Sequence, residues 1–223
     1  MSLIVLEGLD GSGKSTQHEM LLARLRAEGA PARGISFPDY DEPSSSLVKM
    51  YLNGEFGADP GDVNAYAVSS FYAVDRFASF KKFWRRDFEK NLCIIAARYT
   101  TSNAIYQMAK LPFSQWQTYL DWLYDFEFNR MSLPAPDAVI FLDMPCHISQ
   151  KLMTARYNGD ESKKDLHEKS VQYLDKCRDA AFFAASRGGW RVVDCARGDL
   201  PLPPEEINDA LYNHVKEFLH ILG

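Results

Sequence analysis

The chain has no excess of positive charge: 25 Lys and Arg stand against 30 Asp and Glu, for a formal net charge of -5. That balance excludes a general polyanion binder, which needs a basic surface to displace counterions. No nucleic-acid polymer is therefore expected as a partner, and phosphate chemistry would have to come from a few local cations. Cysteine is scarce too. Cys93, Cys146, Cys177 and Cys195 lie far apart without metal-ligand spacing, so reduced thiols in a cytoplasmic protein are expected. No run approaches the ~20 apolar residues of a spanning helix. The start, Met-Ser-Leu-Ile-Val-Leu-Glu-Gly, lacks a basic leader region, so no signal peptide is expected. Repeats and low-complexity segments are missing as well.

What is present is apolar material. The 223 residues are 46% hydrophobic and 13% aromatic, enough for the core of one α/β domain. Leu3–Leu6 reads as a buried parallel strand ending at Gly8. A helical pattern follows from Lys14 to Glu28, with Gly29 as its stop. Further strands are expected at 32–37, 92–97, 138–142 and 190–194. Ser44–Ser46 can cap a short helix running to Leu52. Helices are expected at 62–88, 101–109, 113–130, 145–155, 165–187 and 205–221. Residues 156–164 are polar and charged, and they read as an exposed lid. Strands alternating with helices imply a mostly parallel sheet covered on both faces.

One segment carries specific chemistry. Gly8-Leu9-Asp10-Gly11-Ser12-Gly13-Lys14-Ser15 matches G-x-x-x-x-G-K-[S/T] in full, between an apolar strand and an amphipathic helix. Glycines let the backbone wrap phosphate oxygens, and successive N–H groups with the helix N-terminus face the anion. Lys14 supplies a point charge, and the Ser15 hydroxyl can ligate Mg²⁺. Thr16 closes the motif. ATP or GTP binding follows, but kinases, GTPases and transporters share such loops.

Residues 7–16, Glu-Gly-Leu-Asp-Gly-Ser-Gly-Lys-Ser-Thr, resemble the phosphate loop of the thymidylate kinase family of P-loop nucleoside monophosphate kinases. Phe37-Pro-Asp-Tyr40, Phe71-Tyr-Ala-Val-Asp-Arg76-Phe77 and Arg98-Tyr-Thr-Thr-Ser-Asn103-Ala-Ile-Tyr106 follow in the family's order. The resemblance covers most of the chain. It implies a three-layer P-loop fold with a five-stranded parallel sheet in the order 2-3-1-4-5. It also implies a single kinase domain over 1–223 with a lid at about 156–164. ATP would be the co-substrate and dTMP the acceptor, with Mg²⁺, no membrane and a homodimer.

The resemblance also implies roles. Asp10 would hold the acceptor 3′-hydroxyl, while Phe37 and Tyr40 would wall the acceptor pocket. Tyr72 would stack on the base and Arg76 donate to a pyrimidine carbonyl; their i, i+4 spacing puts them on one helix face. Arg98 would clamp the acceptor phosphate. Ser102 and Asn103 would read the base edge, and Tyr106 would exclude a 2′-hydroxyl by a clash. The position after Asp10 is Gly11, so the lid would supply the catalytic cation, with Arg156 first and Lys163 or Lys164 after it. The five histidines are given no role.

One departure stands out. Family members usually carry Asp-Arg-Tyr where this chain has Ala97-Arg98-Tyr99. Three readings are open: a weakened kinase, substitution by another acid such as Asp143 or Asp39, or an inactivating or engineered change. A kinase for another deoxynucleotide or deoxynucleoside, and a nucleotide-binding relative without turnover, are the alternatives.

Overall fold

The computed structural model describes residues 2–157, 159–160, 166–168 and 171–221. The chain runs through β1 (Ser2–Gly8), α1 (Lys14–Ala27), β2 (Ala32–Ser36), α2 (Ser46–Leu52) and α3 (Ala65–Ser79). It continues through α4 (Arg85–Glu89), β3 (Cys93–Ala97), α5 (Thr100–Tyr106), α6 (Trp116–Tyr124) and β4 (Ala138–Asp143). It ends with α7 (Cys146–Arg156), α8 (Val171–Gly188), β5 (Arg191–Asp194), β6 (Ala196–Arg197), β7 (Leu200–Pro201) and α9 (Pro204–Ile221).

The five-stranded sheet has the order β2-β3-β1-β4-β5, as expected, and its pairs are parallel. Side chains alternate across a strand, so each strand feeds two layers. Leu3, Val5, Ile94, Ala96, Val139 and Phe141 face one layer, with Ile105, Leu120 and Ala181 of α5, α6 and α8. Ile4, Leu6, Ile95, Ile140 and Leu142 face the other, with Leu21 and Leu25 of α1 and Leu211 and Val215 of α9. Each such fully buried Leu or Phe contributes about 1.5–3 kcal/mol. That is why the three central strands read as unbroken apolar runs.

Several local features differ from the expected helices. The long tract after residue 62 is not one α-helix: Phe80–Trp84 forms a π-helical turn between α3 and α4. A second π-helical turn, Asp125–Arg130, extends α6. Ser44–Ser46 provide no side-chain cap for α2. Ser44 instead donates to Asp75 Oδ1 at 2.7 Å, and Asp75 Oδ2 accepts from the Asp39 amide at 2.9 Å. Asp75 thus ties the loop after β2 to α3. Most of the expected lid at 156–164, including Lys163 and Lys164, lies outside the described residues. The β6–β7 hairpin gave no periodic signal because each arm has only two residues.

The topology sets the location of the site. From β1 the chain goes to β2 on one side, while β4 pairs on the other. Ligands in open α/β sheets bind where the strand order reverses in this way, beyond the carboxyl ends. Gly8, Ser36, Ala97 and Asp143 end β1, β2, β3 and β4 at that rim.

Candidate active site

The loop between β1 and α1 has the geometry of an anion cradle. Gly11 and Gly13 take φ of 78° and 80°, a region costly for side-chain-bearing residues. A Cβ on Gly11 would also lie 2.6 Å from the Ser149 carbonyl oxygen of α7. Leu9 is buried in the core, and its carbonyl accepts from the Ser12 amide at 3.2 Å, so it contributes backbone rather than a ligand. Lys14 is buried at the first position of α1, and its pKa falls to about 7. Desolvation is the main cause, with the like charges of Arg98 and Arg156 adding to it, against Asp10 and Glu7. Ser15 and Thr16 are exposed in the first turn of α1.

Beside this loop, Arg98 follows β3 with φ 69°, a left-handed conformation rare for a long side chain. Its amide donates to the Leu6 carbonyl at 3.0 Å. The next residues are held by Glu7, which is fully buried at the end of β1. Glu7 accepts from the Tyr99 amide at 3.2 Å, Thr101 Oγ1 at 2.7 Å and Ser102 Oγ at 2.9 Å. With its neighbours fixed in this way, the Arg98 guanidinium projects toward the phosphate loop and ion-pairs with Asp10. Tyr106 donates to Asp10 Oδ2 at 2.9 Å. Burial raises the Asp10 pKa, but Arg98, Lys14 and the Tyr106 bond outweigh it and hold the carboxyl below its ordinary value.

Two cavities meet at this pair. The larger, about 830 Å³, runs from Gly11–Thr16 past Ala97 and Arg156 to Leu202 and Ile207. The smaller is lined by Tyr72, Ser102, Asn103, Tyr106, Gln107 and His167, among others. Asp10, Pro38, Tyr40 and Arg98 border both.

The residues expected on the acceptor side are mostly brought together, with two exceptions. Arg76 is buried and borders neither cavity. Its Nε donates to Glu127 Oε2 at 2.7 Å, its Nη2 to Glu127 Oε1, and its Nη1 to the Tyr99 carbonyl at 3.3 Å. Phe37 packs in the core against Tyr99 at 5.9 Å and touches only the larger cavity. Arg156 closes α7 and borders the larger cavity. Asp143 does not stand in for the acid missing at Ala97: Arg178 of α8 takes both its oxygens, each at 2.7 Å. Asp39 lines neither cavity, and burial with nearby Asp75 raises its pKa.

Sequence reasoning missed His167, Gln107, Glu7 and Glu127. His167 is buried, stacks on Tyr106 at 5.2 Å and bonds Tyr51 Oη at 2.9 Å; desolvation lowers its pKa to about 3, so it is neutral. Gln107 Oε1 is buried without a hydrogen-bond partner among the described residues. Its neighbour Tyr106 was the only available signal, since glutamine has no periodic signature.

A three-layer fold with a phosphate cradle, a lysine and an arginine beside it, and two cavities sharing one rim defines a P-loop phosphotransferase. A family model described as thymidylate kinase matches residues 6–198. Thymidylate kinase from Mycobacterium tuberculosis strain CDC 1551 / Oshkosh is 28% identical over 195 residues, covering 84% of this chain and 87% of that protein. A probable thymidylate kinase from Thermococcus onnurineus is 31% identical over 191 residues, covering 82% and 84%. The solved thymidylate kinase of Candida albicans superposes with a TM-score of 0.71 at 24% identity, over 97% of this chain and 91% of that one; it shares the fold. The chain belongs to the thymidylate kinase family. No helix among the described residues is long and apolar enough to cross a membrane.

Proposed function

We propose that the chain transfers the γ-phosphoryl of ATP to dTMP, giving ADP and dTDP. The observation that carries this reading is the shared rim at Asp10 and Arg98. A donor seated on Gly11–Thr16 and an acceptor in the smaller cavity would present their phosphates to each other there. Such chemistry is chiefly positioning and charge neutralisation.

Lys14 would take the β and γ phosphates. Arg98 would turn from Asp10 to the acceptor phosphate, its fork suiting two oxygens. Asp10 would then hold the sugar hydroxyl. Arg156, at the end of α7, is the cation best placed to reach the transferring group. Tyr72 would stack on the base, with Ser102, Asn103 and Gln107 along its edge. Tyr106 and His167 would wall the sugar. Met144, Leu152, Leu202 and Ile207 line the larger cavity and suit the donor's apolar base.

Among the described residues no group of three or more His, Cys, Asp or Glu could hold a metal ion by itself. The residues that border the cavity fit an ion held mainly by phosphate oxygens and water, with the exposed Ser15 hydroxyl and the ionised Asp10 as protein donors. Mg²⁺ would neutralise charge on the phosphates.

The expected lid and the single kinase domain over 1–223 belong to this reading, as does a homodimer. Exposed Tyr66, Val74 and Phe83 on α3 and the turn after it support the last. Scattered, unpaired, buried cysteines support a cytoplasmic setting.

A coupled spectrophotometric panel of dTMP, dUMP, dCMP, dGMP and thymidine tests the reading. It predicts best turnover on dTMP. Best turnover on thymidine would contradict it, because Arg98 would then have no acceptor phosphate to hold.

A further inference from the structure

Asn103 borders the smaller cavity, yet its side chain is held from behind. Its Nδ2 donates to the Ser69 carbonyl of α3 at 3.3 Å and to Glu127 Oε1 at 3.4 Å. Each partner only accepts: one is a carbonyl, the other a carboxylate already bonded to Arg76 and Thr100 Oγ1. A rotated amide would set Oδ1 against two acceptor oxygens in a buried site, which is costly. The network therefore dictates the amide orientation. Both amide hydrogens are spent behind the cavity, and Oδ1 is the atom left for a ligand.

We infer that Glu127 is a specificity-determining positioning residue, which locks Asn103 as a hydrogen-bond acceptor toward the base of the acceptor nucleotide. The inference rests on the proposed phosphoryl transfer at this cavity and goes further, naming the base edge that the cavity demands. Thymine and uracil carry an N3–H donor; cytosine carries a lone pair at N3. A locked oxygen accepts from the first and repels the second. A freely turning amide would serve both, since its NH₂ would meet the cytosine nitrogen. Discrimination thus comes from an enforced mismatch as well as an attraction.

The fold supplies the lock through an irregular backbone. Glu127 sits in the π-helical turn Asp125–Arg130 and is fully buried. Such turns interrupt helical spacing and often mark functional sites. The bidentate pair with Arg76 fixes the carboxylate, so Arg76 acts through Glu127.

Two variants separate reach from charge. Glu127→Asp keeps the negative charge beside Arg76 but is one methylene short of Asn103. Glu127→Gln keeps the length and an acceptor oxygen. For Glu127→Asp, kcat/KM for dTMP and dUMP falls together while that for dCMP rises. The dTMP:dCMP ratio drops about tenfold, the scale of one hydrogen bond in a buried site. Glu127→Gln retains the ratio to within about threefold, even with a lowered Tm. A purely structural role predicts parallel loss on all three substrates in Glu127→Asp, and that result, or an unchanged ratio, would overturn the inference. No dTMP turnover by the unmodified chain would instead overturn the phosphoryl-transfer reading beneath it.

Discussion

Arg98 ion-pairs with Asp10 across the gap between the end of β3 and the phosphate loop. Neither residue is more than one-fifth exposed: their side chains stand at 17% and 20%. The pair closes the rim where the two cavities meet, and Tyr106 bonds the same carboxylate. Nucleotide phosphates would compete with Asp10 for the guanidinium. Arg98→Lys keeps the charge and loses the fork. It is expected to lower kcat by roughly 10²-fold, while calorimetric ADP affinity changes by less than about threefold. Equal losses in both would mean that Arg98 serves the donor.

Ala97 borders the larger cavity at the end of β3, level with Leu6 of β1 and Ser36 of β2. A carboxylate there would enter the cavity near the expected metal. Ala97→Asp is expected to raise kcat, by up to ~10²-fold, or to lower the Mg²⁺ concentration for half-maximal rate. No movement in either would show that catalysis never relied on that position. Asp143 offers no substitute, since Arg178 occupies it.

Lys14 has a pKa of about 7 before any phosphate arrives. Bound phosphate favours the charged amine, so binding takes up a proton once pH exceeds that value. Affinity for ADP should weaken as pH rises from 7 to 9, with a limiting slope of about tenfold per unit. For folding of the free protein the expected trend is the opposite. An unfolded chain with the ordinary Lys pKa holds more protons across this window, so this residue's contribution to stability increases with pH. Calorimetric titration across the range would detect the first effect; a flat profile would mean that Lys14 is already charged in the free protein.

Two glycines of the loop should respond differently to alanine. At Gly13 only the left-handed backbone resists a Cβ, for among the described residues no neighbour lies within 4 Å of it. At Gly11 the same strain is joined by contacts with Ser149 and Met153. Thermal or denaturant unfolding should show about 1 kcal/mol lost for Gly13→Ala and more, about 2–4 kcal/mol, for Gly11→Ala. Equal losses would refute the packing of the loop on α7.

The fold was largely legible because its signals are periodic or local. Leu3–Leu6, Cys93–Ala97 and Ala138–Leu142 are apolar runs that only a doubly covered parallel sheet accommodates, and the phosphate loop needs glycine where φ is positive. The rim of the candidate site was legible where it follows a strand end, since Asp10, Tyr40 and Arg98 border both cavities. It was not legible where a role depends on contacts distant in sequence. Arg76 shares a helix face with Tyr72, yet its guanidinium turns to Glu127, 51 residues away. The π-helical turn that presents Glu127 has no signature in a 3.6-residue pattern. His167 looked like one scattered histidine among five, because nothing local marks its stacking on Tyr106.

The most direct measurement is dTMP-dependent ADP formation by the purified chain with ATP and Mg²⁺, followed in a coupled assay. The account predicts turnover that requires dTMP, exceeds that on thymidine, and collapses in Lys14→Ala. Tight binding of ATP and dTMP without turnover at any Mg²⁺ concentration would contradict it, leaving a nucleotide-binding relative in which Ala97 has ended catalysis.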